Sequence, residues 1–177
     1  MIELKCQNCN SADIEYKDGL FTCKSCGSRF LAEKQEKDVF DKEDKLEDAA
    51  IEAYNKHNEY SDKYLDTNKE KYLDKSLEWT DRLDQCIEDL LEFNPVNPYA
   101  WTFRMVQRIG QGLDEEQARK QFFAYAEKAA DALKPGAKKD LVELLRENFW
   151  LHSSLIVEKY PEYKDDADRI STKIMEF

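Results

Sequence analysis

The sequence predicts a mostly α-helical protein with a small β module at its N-terminus. Three observations carry that reading. Four of the five cysteines fall in two Cys-x-x-Cys pairs, Cys6/Cys9 and Cys23/Cys26. Between Leu31 and Pro95 the chain holds neither glycine nor proline. Beyond that, apolar residues recur at helical spacing, interrupted only where Pro or Gly stands.

The β module comes first. Ile14, Tyr16, Leu20 and Phe21 are strand formers, and Asp18-Gly19 between them is a hairpin turn tolerant of positive φ. The second pair continues into Gly27-Ser28-Arg29-Phe30-Leu31, a short third strand. Gly27 lets the backbone curl its amides toward sulfur, and Asn10 holds the equivalent place after the first pair. Two such turns aim four thiolates at one ion, and that geometry and softness suit Zn²⁺. All four positions are filled by sulfur, so one structural Zn²⁺ is expected on Cys6, Cys9, Cys23 and Cys26. A redox-active pair would instead sit at a helix start in a thioredoxin-like context, which is lacking. A module of this size cannot bury enough apolar surface to fold alone. Metal binding supplies the difference, on the order of 10 kcal/mol.

On Cys6, Cys9, Cys23, Cys26, Gly27 and the hairpin, residues 1–31 resemble the zinc ribbons at the N-termini of many small proteins of Gram-positive bacteria and their phages. They also look like the ribbon of general transcription factors. The resemblance implies zinc and the ribbon fold. Ribbons serve as nucleic-acid contacts, protein contacts or structural caps. Here Lys5, Lys17, Lys24 and Arg29 are balanced by Glu3, Asp13, Glu15 and Asp18. A phosphate footprint needs a basic excess, so a cap or docking knob is expected.

Residues 32–177 read as an acidic, antiparallel all-α array of about six helices. Val39, Leu46, Ala50, Ala53, His57, Tyr60 and Tyr64 mark one face of a first helix, which breaks at Asp66-Thr67-Asn68. Tyr72, Trp79, Leu83, Ile87, Leu90 and Leu91 mark a second, stopped by Asn94-Pro95-Val96-Asn97-Pro98. Asn97 caps a third with Pro98 in its first turn; Trp101, Met105 and Ile109 face inward, and Gly110 ends it. Asp114 is the expected cap of a fourth, carrying Ala118, Phe122, Tyr125, Ala129 and Leu133 up to Pro135-Gly136. A fifth spans about Lys138–Tyr160 through Leu141, Leu145, Phe149, His152 and Ile156. Pro161 opens a sixth with Tyr163, Ala167, Ile170 and Ile174.

The stretch from Cys86 to Trp101 is similar to the junction between tetratricopeptide repeats, where a helix ends in Pro and the next repeat opens with Ala-Trp. Ala118, Phe122 and Tyr125 follow at roughly the spacing such a repeat wants. Met105 stands where the repeat usually has Gly, the helix after Asp114 is too long, and no second clean copy follows. The resemblance covers residues 70–160 as a degenerate array and implies a protein-binding groove.

The net charge of −11 is uneven. Residues 1–31 are neutral, 32–94 carry −10 and 95–177 carry −1. That distribution disfavours direct nucleic-acid binding and favours a basic protein partner. No apolar run reaches membrane-spanning length, the first residues lack a secretory plan, and metal-type cysteines fit a reducing compartment. A cytoplasmic location is expected. Oligomeric state stays open, a homodimer included.

Catalytic signatures are lacking: no phosphate loop, no His-Glu-x-x-His, no nucleophile elbow. His57 and His152 have no Cys or His at ligand spacing. Cys86 reads as a small buried hydrophobe. A non-enzyme is expected. Carboxylates recur in steps of three or four along the first helix, from Asp38 through Asp41, Asp44, Glu47, Asp48, Glu52, Glu59, Asp62 and Asp66. Such a strip, with tyrosines beside it, could fill a groove built for a phosphate backbone. Small acidic phage proteins that block nucleic-acid enzymes, anti-CRISPR proteins included, are similar in this respect. The expected function is therefore a zinc-stabilised module that inhibits or regulates a basic, nucleic-acid-handling protein. The alternatives are an adaptor with a tetratricopeptide-like groove and a transcription-related ribbon protein. The plain alternative for the strip is a solvated face, its acids paired by Lys34, Lys37, Lys42, Lys45, Lys56 and Lys63 at i±4.

Overall fold

A computed structural model describes residues 6, 8–9, 11–17 and 20–177, with the backbone alone at 16, 17, 20 and 30–40. The expected Asp18-Gly19 turn and the Asn10 position lie outside the described residues. So do the side chains of Tyr16, Leu20, Phe30, Lys34, Lys37, Asp38 and Val39. The chain divides into two compact units, Met1–Lys45 and Leu46–Phe177. The sequence expectation put the boundary after Leu31, where the first helix begins.

In the first unit, β1 (Ile14–Lys17), β2 (Leu20–Cys23) and β3 (Arg29–Leu31) form an antiparallel sheet in sequence order. Ile14 pairs with Cys23 and Lys17 with Leu20. Phe21 pairs with Phe30 across the second ladder. From Ala32 the chain enters α1 (Ala32–Thr67) and stays helical until Asn68, whose positive φ of 50° ends it. Asn is one of the few residues that tolerates that conformation.

The second unit adds α2 (Glu70–Phe93), α3 (Pro98–Gly110), α4 (Glu116–Ala132), α5 (Lys139–Lys159) and α6 (Lys164–Met175). Side-chain pairings give their directions. His57 meets Thr80 while Ser61 meets Ser76, so α1 and α2 run antiparallel. Arg104 meets Glu88 while Gln107 meets Asp84, so α2 and α3 do too. Glu47 meets Asn97 while Tyr54 meets Phe103, so α1 and α3 run parallel. The first three helices thus alternate in direction, as short connections dictate.

The core is aliphatic and aromatic. Phe149 stacks on Phe122 at 5.8 Å and meets Phe123 edge-on at 6.1 Å, and Phe123 stacks on Tyr163 at 5.2 Å. Ala126 and Ala129 are fully buried, so α4 sits close to its neighbours. Cys86 is half-buried against this core, and desolvation raises its thiol.

Two helix starts differ from the sequence expectation. Glu115, not Asp114, occupies the cap position of α4, and no side chain caps it. The Asp114 carboxylate instead accepts from Lys159 at 3.1 Å, and its carbonyl accepts from the Arg119 guanidinium at 2.5 Å. Pro161 opens a 3-10 turn, Pro161–Tyr163, before α6 begins.

Candidate metal centre and acidic helix face

The two Cys-x-x-Cys segments fold as copies of one another. The Cys6 amide donates to the Ser11 carbonyl at 2.8 Å, and the Cys23 amide donates to the Ser28 carbonyl at 2.9 Å. The Gly27 amide closes the second turn on the Cys23 carbonyl at 2.8 Å, with φ of 74° at Gly27. Polar side chains tie the copies together. Ser11 and Ser25 hydroxyls lie 2.7 Å apart, and Asn8 donates its amide to the Ser28 hydroxyl at 3.1 Å.

This framework brings the four sulfurs within 4.8 Å of one another. Cys6 and Cys26 Sγ lie 3.5 Å apart, as do Cys9 and Cys23 Sγ. A tetrahedral ion with bonds of about 2.3 Å to sulfur needs an edge of about 3.8 Å, so the thiols fit one ion. Cys6 and Cys23 are buried while Cys9 and Cys26 are exposed. No other group of His, Cys, Asp or Glu among the described residues forms such a set.

The thiols are electrostatically unequal. The Ser28 hydroxyl and amide lower the Cys26 thiol to about 6. The Ser11 amide also favours the Cys9 thiolate, but the Cys26 and Cys23 sulfurs outweigh it and push that thiol up to about 12. Four crowded sulfurs resist joint ionisation unless a cation sits among them. Ser11 and Ser28 escaped the sequence reading. The signal was there, since both stand two residues after the second cysteine of their pair.

The acidic residues of α1 do not share one environment. Asp41 and Asp44 are exposed on the part of α1 that belongs to the first unit. In the second unit Asp48, Glu52, Asp62 and Asp66 are exposed, at steps that keep them on one helix face together with Glu59. Glu47 departs from the strip and is a correction to it. It is 8 % exposed and turns inward, accepting from the Asn97 amide at 2.9 Å and from Lys138 at 3.0 Å. Lys56 and Lys63 clasp Glu59 at 2.7 and 2.5 Å and hold its carboxyl down at about 2.

The two histidines sit in different surroundings. His57 Nδ1 lies 3.1 Å from the Ser76 hydroxyl and 3.0 Å from the Thr80 hydroxyl, a polar seam between α1 and α2. Ser76 is buried in that seam. Burial lowers the His152 imidazole. No described helix is long and apolar enough to cross a membrane. Comparison with protein-family models, curated proteins and solved structures finds no match to this chain.

Proposed function

We propose that the chain is a non-catalytic, zinc-stabilised interaction module. Its α1 acids bind a basic surface of a nucleic-acid-handling protein and thereby regulate or inhibit it. The ion is Zn²⁺, held by Cys6, Cys9, Cys23 and Cys26. Four thiolates at tetrahedral spacing favour zinc over harder cations and leave no open position for substrate, so the metal supplies folding energy alone. Such thiols stay reduced in the cytoplasm, where this reading places the protein.

One observation carries the partner reading. If α1 were an ordinary solvated face, its lysines would pair its acids. Among the described residues Lys56 and Lys63 both converge on Glu59, and no ion pair engages Asp48, Glu52, Asp62 or Asp66. These carboxylates remain available to cations from outside, and an acidic face of that kind steers a basic partner at long range.

The test is capture of partners by the full-length, zinc-loaded protein from a nuclease-treated lysate, with low-salt and high-salt washes. The same capture is run with Asp48→Lys, Glu52→Lys and Asp62→Lys combined. A basic nucleic-acid enzyme that leaves at high salt and is not captured by the variant supports the reading. Equal capture by both proteins overturns it.

A second reading rests on an open groove of roughly 240 Å³ lined by Pro95, Val96, Trp101, Lys128, Asp131 and Ala132. It lies at the junction that is similar to a tetratricopeptide boundary, and a peptide bound there would make the protein an adaptor. A salt-resistant partner lost on Trp101→Ala would favour it.

A further inference from the structure

The outer face of α5 carries a feature that the α1 reading does not use. Leu151 is 61 % exposed, Leu155 is 55 % and Trp150 is 40 %. Leu151 and Leu155 are one helical turn apart on the same face, and Trp150 lies about 100° round the helix from Leu151, at the border of that face. The chain as a whole is strongly polar, with mean hydropathy −0.81, so large apolar side chains exposed together on one helix face call for an explanation.

The Leu151 side of the helix is acidic. Asp140, Glu147 and Glu158 recur at spacings of seven and eleven residues, which returns them to the Leu151 side of the helix. No ion pair among the described residues engages any of the three. Lys139 pairs with Glu143 and Lys159 with Asp114, while Arg146 lies over the Trp150 ring at the border of the patch. Leu151 and Leu155 are therefore left beside three carboxylates that no ion pair among the described residues engages.

We infer that this face of α5 docks a basic amphipathic helix of a partner protein. The partner's apolar stripe would cover Leu151 and Leu155, and its lysines or arginines would meet Asp140, Glu147 and Glu158. Charge selects this occupant over a second copy of the same face. Two copies would bring their acids together, and like charges across a contact oppose it. Apolar anchors supply affinity and the rim supplies register and selectivity. The surface is separate from the α1 row, so the protein has two places at which a basic partner is held.

The probe is a fluorescein-labelled synthetic helix of leucine and lysine in amphipathic order, titrated into the full-length, zinc-loaded protein by anisotropy. A glutamate-for-lysine version is the control. The expected result is binding of the lysine helix only, weakened about tenfold by Leu151→Ser with Leu155→Ser. Glu147→Gln with Glu158→Gln should weaken it too and flatten its salt dependence. Asp48→Lys with Glu52→Lys should leave it nearly unchanged, which separates this surface from the α1 reading. Equal affinity in the α5 variants, or loss on changing α1 alone, overturns the proposal. So does a dimer of the unliganded protein that Leu151→Ser with Leu155→Ser converts to monomer, because a second copy then owns the face.

Discussion

The Asn97 carboxamide donates to the Glu47 carboxylate at 2.9 Å, joining residues fifty positions apart. The same side chain accepts from the Ala100 amide at 3.0 Å, which caps α3. Asn97 is fully buried, so one residue both starts a helix and satisfies an acid that α1 turns inward. Lys138 completes the arrangement from the residue before α5. Three helices are thus indexed to one another through Glu47.

Asn97→Ala should cost the helical unit about 2–4 kcal/mol, the sum of a lost cap and a poorly satisfied carboxylate. Asn97→Asp keeps a capping oxygen but sets two carboxylates together, so it too should destabilise. Urea unfolding of both variants checks this. An aspartate variant as stable as wild type would show that the Glu47 contact contributes nothing.

Phe149 is completely buried, stacked on Phe122 and edge-on to Phe123. Phe149→Ala should cost about 3–5 kcal/mol and Phe149→Leu clearly less, because leucine refills most of the space. The far-UV circular dichroism melt is the readout. Equal losses for the two would mean that ring geometry, not volume, dominates.

Glu59 is clasped by Lys56 and Lys63, which hold its carboxyl at about 2 against an ordinary 4.5. The folded carboxyl binds its proton less tightly than the unfolded one. The clasp therefore stabilises above the ordinary value, and that contribution is lost as pH falls through about 2. A carboxyl NMR titration should place the Glu59 midpoint near 2, and Lys56→Met with Lys63→Met should return it toward 4.5. An unchanged midpoint would refute the clasp.

Ser28 accepts the Cys23 amide, takes the Asn8 side-chain amide on its hydroxyl, and sits 3.1 Å from Cys26 Sγ with that same oxygen. Ser28→Ala leaves the backbone bond intact and removes the other two contacts. It should weaken metal retention about tenfold in a chelator competition, the usual size of such a loss around a ligand. Full retention would reduce Ser28 to a bystander.

Much of this was legible from the chain. Cysteine spacing located the metal set, Asn97-Pro98 located the start of α3, and the lack of Gly and Pro located α1. The fate of Glu47 was not read, although the pattern contained it. Glu47 stands three residues before Ala50 and seven before Tyr54, both on the inward face, yet its charge placed it with the exposed acids. By residue type Asp114 is the expected cap of α4. The structure sends its carboxylate to Lys159 and puts Glu115 at the cap, a choice made by tertiary pairing that local sequence does not carry.

The decisive measurement is native mass spectrometry of the intact protein. One zinc per chain is expected, absent from a Cys6→Ser, Cys23→Ser variant, whose β1–β3 amides also lose protection from exchange while those of α2–α6 keep theirs. A metal-free chain with four free thiols and a protected sheet would contradict this expectation.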